Sequence, residues 1–138
     1  MSPDTRALHV ARGWIGTPYV LLAALRGVGC DCVGLIRGVR GELLGQPPVH
    51  VPPWQRDWAD APNRILVSAA LRWMDRVPPD AALPGHMVVL RTQGREAHCG
   101  ILEEDDRIIH AVEGVGVARV PFAAFRPAVT FAAAFPHS

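Results

Sequence analysis

Cys32 is the side chain of this 138-residue sequence best placed to act as a nucleophile. It stands in the run Gly29-Cys30-Asp31-Cys32-Val33-Gly34-Leu35-Ile36-Arg37-Gly38. From Cys32 onward the apolar residues Leu35, Ile36, Val39, Leu43 and Leu44 recur at helical spacing, and Gly45 with Pro47 and Pro48 stops the run. The spacing predicts a helix from about Cys32 to Leu44 with the cysteine in its first turn. There, unpaired backbone N–H groups and the positive end of the helix dipole favour thiolate over thiol, and the thiolate is the reactive form. Such a nucleophile needs a base, and the base needs an orienting group. Of the six histidines, His98 and His110 sit at the edges of neighbouring predicted strands. If the turn between those strands leaves an odd number of residues unpaired, both histidines point to one face. In an opposed or diagonal position they then lie within about 8 Å of each other. An even-numbered turn puts them on opposite faces, so the register is a condition that the structure must meet.

Several elements must position these groups. Ser2-Pro3 reads as an N-cap followed by proline at the first helical position. Ala7, Val10, Ala11 and Trp14 then form one helical face, and the helix is expected to end near Gly16. Tyr19 to Gly29 reads as an irregular loop. Gln46 to Pro53 carries four prolines, which excludes regular helix or central strand. Asn63 to Val77 has helical periodicity in Ile65, Leu66, Ala69, Ala70 and Trp73, and Pro78-Pro79 ends it. Strands are predicted over 87–90, 99–102, 107–112, 115–120 and 129–135. Helices first and strands second indicate an α+β fold, with N-terminal helices on an antiparallel sheet of about five strands, and a single domain over 1–138.

Composition narrows the function. A net charge of +1 gives no argument for a nucleic-acid partner, and no apolar run is long enough to cross a membrane. The N-terminus lacks a basic stretch followed by an apolar one, so no secretory signal is expected. Three cysteines cannot all pair within the chain, which favours a reducing compartment or a free functional thiol. Several residues keep two readings. Asp31 is either a helix cap or a group that tunes the thiol. Tyr19 is either core packing or part of the site. A zinc site on Cys30, Cys32, His98 and Cys99 is an alternative, although Cys-x-Cys is not the usual ligand spacing. Glu103 to Asp106 reads as a solvated turn, and His9, His50, His86 and His137 as surface or structural groups.

Four motifs in order carry a family resemblance. Gly16-Thr17-Pro18-Tyr19, Asp31-Cys32-Val33-Gly34-Leu35, Ala97-His98-Cys99-Gly100-Ile101 and Ile109-His110-Ala111 resemble the NlpC/P60 family of cell-wall cysteine peptidases. The run Gly27-Val28-Gly29-Cys30-Asp31-Cys32 is similar to the short type found on phage and gene-transfer-agent tails. The resemblance spans Ala11 to Phe135. It implies a papain-like fold with Cys32 as nucleophile, His98 as base and His110 as its orienter, and needs no metal or cofactor. Tyr19, with its hydroxyl near the thiol, falls with Asp31 and Val33 on the substrate and oxyanion side. The implied reaction is hydrolysis of the D-glutamyl–diamino acid bond in peptidoglycan stem peptides. Two departures stand out: Val33 replaces the family's usual serine, and Val20-Leu21-Leu22-Ala23 replaces Trp-Gly-Gly. The tail-type resemblance implies a protein made in the cytoplasm without a signal peptide. It would be carried at a particle's tail tip to the recipient envelope, held by tail hub or baseplate proteins, with Trp54 or Trp58 suited to anchoring. A structural baseplate component of the same fold with little turnover is the alternative.

Overall fold

The computed structural model describes residues 1–51 and 64–137. Trp54 and Trp58, the expected anchoring residues, lie outside the described residues, as does Asn63. Helix α1 spans Pro3–Arg12. Ser2 Oγ accepts from the Thr5 N–H at 3.1 Å and Pro3 opens the helix, as their sequence positions predict. The helix closes at Gly13, a turn earlier than expected. The segment 19–29, read as a loop, takes part in a minimal hairpin of β1 (Ala24–Leu25) and β2 (Gly29–Cys30), and Tyr19 bridges to Cys30. Helix α2 covers Cys32–Leu44, where the spacing placed it, and Gly45 closes it in the left-handed conformation at φ 63°.

Helix α3 is Ile65–Trp73, shorter than the predicted Asn63–Val77. Met74 turns extended, and Asp75–Val77 become strand β3, paired with the last strand of the chain. The cause is local: Pro78 biases Val77 away from helix, and the neighbouring strand offers hydrogen bonds to its backbone. The remaining strands are β4 (Met87–Thr92), β5 (Arg95–Glu103), β6 (Arg107–Val112), β7 (Gly116–Pro121) and β8 (Val129–Ala134). They form one antiparallel sheet in the order β3-β8-β4-β5-β6-β7. The sheet therefore has six strands rather than about five, and β3 is the addition. The fold class is α+β as expected.

Period-two alternation divides the sheet residues between two cores. Met87, Val89, Cys99, Ile101, Ile109 and Ala111 pack with Ala7, Ala11, Trp14, Leu35, Val39 and Leu43 of the helical side. Val88, Leu90, Leu102, Ile108 and Ala132 join Phe122 in a smaller cluster. Two contacts fix the first helix. The Arg12 guanidinium donates to both oxygens of Glu103, at 2.9 and 2.6 Å, and Arg119 adds a contact from β7 at 3.3 Å. Glu103 is therefore a buried strand residue, and only residues 104–106 form the solvated turn. The second contact is the buried Trp14 ring, which lies where a Cβ on Gly38 would sit only 2.0 Å from it, so α2 can approach only because residue 38 has no side chain. Trp14 Nε1 completes the contact by donating to Glu42 at 3.0 Å. Gly38→Ala is accordingly expected to lower unfolding stability by about 1–3 kcal/mol through overpacking, measured by urea denaturation.

Candidate active site

The site begins with a helix cap. Asp31 Oδ1 accepts from the Gly34 N–H at 2.6 Å, and Oδ2 accepts from the Leu22 N–H at 2.7 Å. The carboxylate is buried at 4% exposure, with both oxygens committed to backbone. The second bond holds Leu22 at φ 67°, a conformation an L side chain rarely adopts. Gly34 permits this closeness, because a Cβ there would lie 1.8 Å from the Ala23 carbonyl oxygen. Asp31 is thus placed as a positioning group that ties the loop carrying Tyr19 to the start of α2. Cys32 follows as the first helical residue. The Gly34 and Leu35 N–H groups are taken up by Asp31, through its side chain and its carbonyl. Those of Cys32 and Val33 have no helical carbonyl to reach.

The histidines come from β5 and β6. Ile101 pairs with Ile109 and Glu103 with Arg107, leaving a three-residue turn at 104–106. The turn is odd-numbered, so the condition on the register is met. Continuing that register puts His98 diagonal to His110 on the same face. His98 Nε2 lies 2.8 Å from His110 Nδ1, with the ring centroids 5.0 Å apart and the rings inclined at 68°. Phe125 stands edge-on to His110 at 5.8 Å. Tyr19, Asp31, Cys32, Val33, His98 and His110, the six residues singled out from sequence, line one open cleft of ≈ 880 Å³. Val33 also walls a separate, wholly apolar cavity of ≈ 410 Å³ lined by Ile36, Leu66 and Trp73.

The protonation states follow from the surroundings. Hydrogen bonds from Cys99 and then His98 pull the Cys32 thiol below its ordinary range, against burial and the nearby Asp31 charge. Burial and the neighbouring His98 lower His110 to about 4, so it is neutral at neutral pH. Burial, reinforced by the negative groups at Cys32 and Asp31, raises Tyr19 to about 12, so its hydroxyl keeps its proton. When Cys32 and His98 form a thiolate–imidazolium pair, both His98 nitrogens carry hydrogen. Nε2–H then donates to Nδ1 of the neutral His110, and Nδ1–H is left for the sulfur. Cys30 is buried in the core and pushed up to about 12, which makes it inert.

Cys99 is the residue that sequence reasoning missed. It is fully buried, and its Sγ lies 3.3 Å from the Cys32 carbonyl oxygen. Strand alternation carried the signal: the residue after His98 points to the opposite side from the imidazole, toward the helix layer. Among the described residues, no group of three or more His, Cys, Asp or Glu side chains is arranged to hold a metal ion. The four residues of the alternative zinc reading do not share one ion site.

The model of the NlpC/P60 family matches residues 16–131. The chain belongs to the NlpC/P60 family. Solved structures agree on the fold. The NlpC/p60 domain of the peptidoglycan hydrolase SagA superposes with a TM-score of 0.66 at 23% identity, covering 95% of this chain and 97% of that one. NlpC2 from Trichomonas vaginalis gives 0.66 at 17% identity, covering 96% of this chain but 47% of its own. The P60 domain of an antigen from M. avium subspecies paratuberculosis gives 0.59 at 18%, covering 96% and 94%. This NlpC/P60 chain is thus the length of the isolated SagA domain and about half that of the Trichomonas protein. No curated protein matches it.

Two measurements check the electrostatics of this NlpC/P60 site. Iodoacetamide is expected to label Cys32 at pH values below the ordinary thiol range while sparing Cys30 and Cys99, and His98→Ala is expected to move that profile upward, as read by mass spectrometry. The second concerns stability. His110 titrates at about 4 folded against 6.5 unfolded, so between those values only the unfolded chain gains the proton. Stability therefore falls as pH drops from about 6.5 to about 4. Glu96 and Glu103, each held at about 2 by paired arginines, act only below their ordinary value of 4.5. His110→Phe is expected to flatten the upper window and leave the lower one, in thermal unfolding across pH.

Proposed function

We propose that the chain is a thiol peptidase that hydrolyses peptidoglycan stem peptides at the bond between D-glutamate and a diamino acid. The observation that carries this reading is the ordered row of Cys32, His98 and His110 in an open cleft, within a family domain similar to that of a named peptidoglycan hydrolase. In the proposed reaction the Cys32 thiolate attacks the scissile carbonyl carbon. The oxyanion is met by the Cys32 N–H at the helix start and by the protonated Tyr19 hydroxyl. His98 hands its proton to the leaving amine and the acyl-enzyme remains. His98 then takes a proton from water, which attacks the acyl carbon and frees Cys32. His110 keeps the imidazole oriented by accepting from Nε2–H throughout.

Delivery by a phage-like tail or gene transfer agent is part of the proposal, supported by the resemblance of Gly27 to Cys32. The chain would be made in the cytoplasm, sit at the tail tip against hub or baseplate proteins, and act in the recipient envelope. Val33 favours a second reading, a structural baseplate component, because it puts an apolar wall where the family has a hydroxyl.

Purified chain incubated with peptidoglycan is expected to release stem-peptide fragments, with Cys32→Ala slower by about 10³-fold or more. Val33→Ser is expected to change KM and substrate preference more than the chemical step. An inert wild type whose Cys32 also resists iodoacetamide near neutral pH would leave the structural reading. Immunogold labelling of particle tails tests the delivery route.

A further inference from the structure

Cys99 lies against Cys32 yet takes no step in the proposed hydrolysis. The two thiols differ sharply in access. Cys32 is half-buried and opens to the cleft, whereas Cys99 is fully buried on the inner face of β5. A small solute entering the cleft therefore meets Cys32 first. Cys99 waits behind it, with Sγ 3.3 Å from the Cys32 carbonyl oxygen. That distance sets the two residues side by side across the α2–β5 packing, the neighbourhood that a bond of about 2.05 Å between the sulfurs requires. Cys30 is nearer in sequence but packs into the core with the helical residues, and a bridge across one intervening residue is strained.

We propose that Cys32 and Cys99 form a reversible disulfide when the cleft is exposed to hydrogen peroxide, closing the nucleophile and sparing it from irreversible oxidation. In the first step the Cys32 sulfur attacks one peroxide oxygen and the O–O bond breaks. Cys32 becomes a sulfenic acid, and the departing hydroxide takes a proton from His98 to leave as water. In the second step Cys99 attacks the Cys32 sulfur and gives up its proton to the departing oxygen. The S–S bond forms, the S–O bond breaks, and the hydroxide leaves with the Cys99 proton as a second water. Two thiols are oxidised by two electrons in all, and the peroxide is reduced by two. The order of events suits the site. While Cys32 is a thiolate, its hydrogen bond and charge hold Cys99 protonated; a neutral sulfenic acid removes both restraints. A dithiol such as dithiothreitol reverses the bond by exchange.

This inference shares with the peptidase reading the reactive Cys32 thiolate and its His98 partner, and its readout is a mass rather than wall digestion. The wild-type chain is treated with a small molar excess of hydrogen peroxide near neutral pH. It is expected to lose the mass of two hydrogens, with fragmentation spectra assigning the bond to Cys32 and Cys99. Dithiothreitol is expected to restore the mass and the iodoacetamide labelling of Cys32. In Cys99→Val, dimedone is expected to trap the Cys32 sulfenic acid about tenfold more than in wild type, and continued oxidation to sulfinic acid is not reversed by dithiothreitol. A bond mapping to Cys30 overturns the proposal. So does wild-type Cys32 that gathers dimedone adduct or sulfinic acid as fast as the variant. Peptidoglycan release is assayed in parallel, so a chain that forms the bond but never digests wall sinks the peptidase reading and leaves this one standing.

Discussion

The buried carboxylate of Asp31 is the contact on which the site depends. One oxygen caps α2 and the other holds Leu22 in the left-handed region, so helix start and Tyr19 loop move as one piece. A helix cap contributes typically about 1 kcal/mol, and a hydrogen bond to a charged group about 1.5–3 kcal/mol. An unpaired buried carboxylate would cost several times more, which is why both oxygens are occupied. The arrangement works against the thiolate, since Asp31 is a negative charge beside Cys32. The net shift is still downward, so the hydrogen bonds from Cys99 and His98 outweigh burial and that charge together.

The groups around Cys32 are held in complementary states. His110 is kept neutral by burial and Tyr19 is kept protonated by burial and by its anionic neighbours. Neither exchanges a proton near neutral pH. That leaves the proton exchange of the proposed reaction to Cys32 and His98. The hydrogen bond from His98 to His110 does not compete with the one to sulfur, because it uses the other ring nitrogen.

Much of this arrangement was legible in the sequence because it rests on short-range rules. The spacing of Leu35, Ile36, Val39 and Leu43 marks α2, and Ser2-Pro3 marks the start of α1. The histidine pair turned on the parity of one turn, which the two-residue period of strands makes decisive. What the sequence did not carry was settled by distant partners. Asp75–Val77 has no apolar alternation of its own and becomes a strand because β8 is there to pair with it. Glu103 looked like part of a polar turn, yet Arg12 and Arg119 pay for its burial from two other elements. Cys99 stood out only as a ligand of the alternative zinc site, and it is the packing of α2 on β5 that brings it beside Cys32.

The cap, the thiol and the Tyr19 loop belong to the first third of the polypeptide, and the imidazoles to its second half. The proposed hydrolytic centre is therefore a seam between two layers rather than a property of either. During synthesis Cys32 emerges as an ordinary thiol and meets His98 only once β5 and β6 have folded back beneath α2. A slight parting of helix and sheet would silence the chemistry while every element kept its shape, so reactivity at Cys32 is a local gauge of whether the two layers are joined.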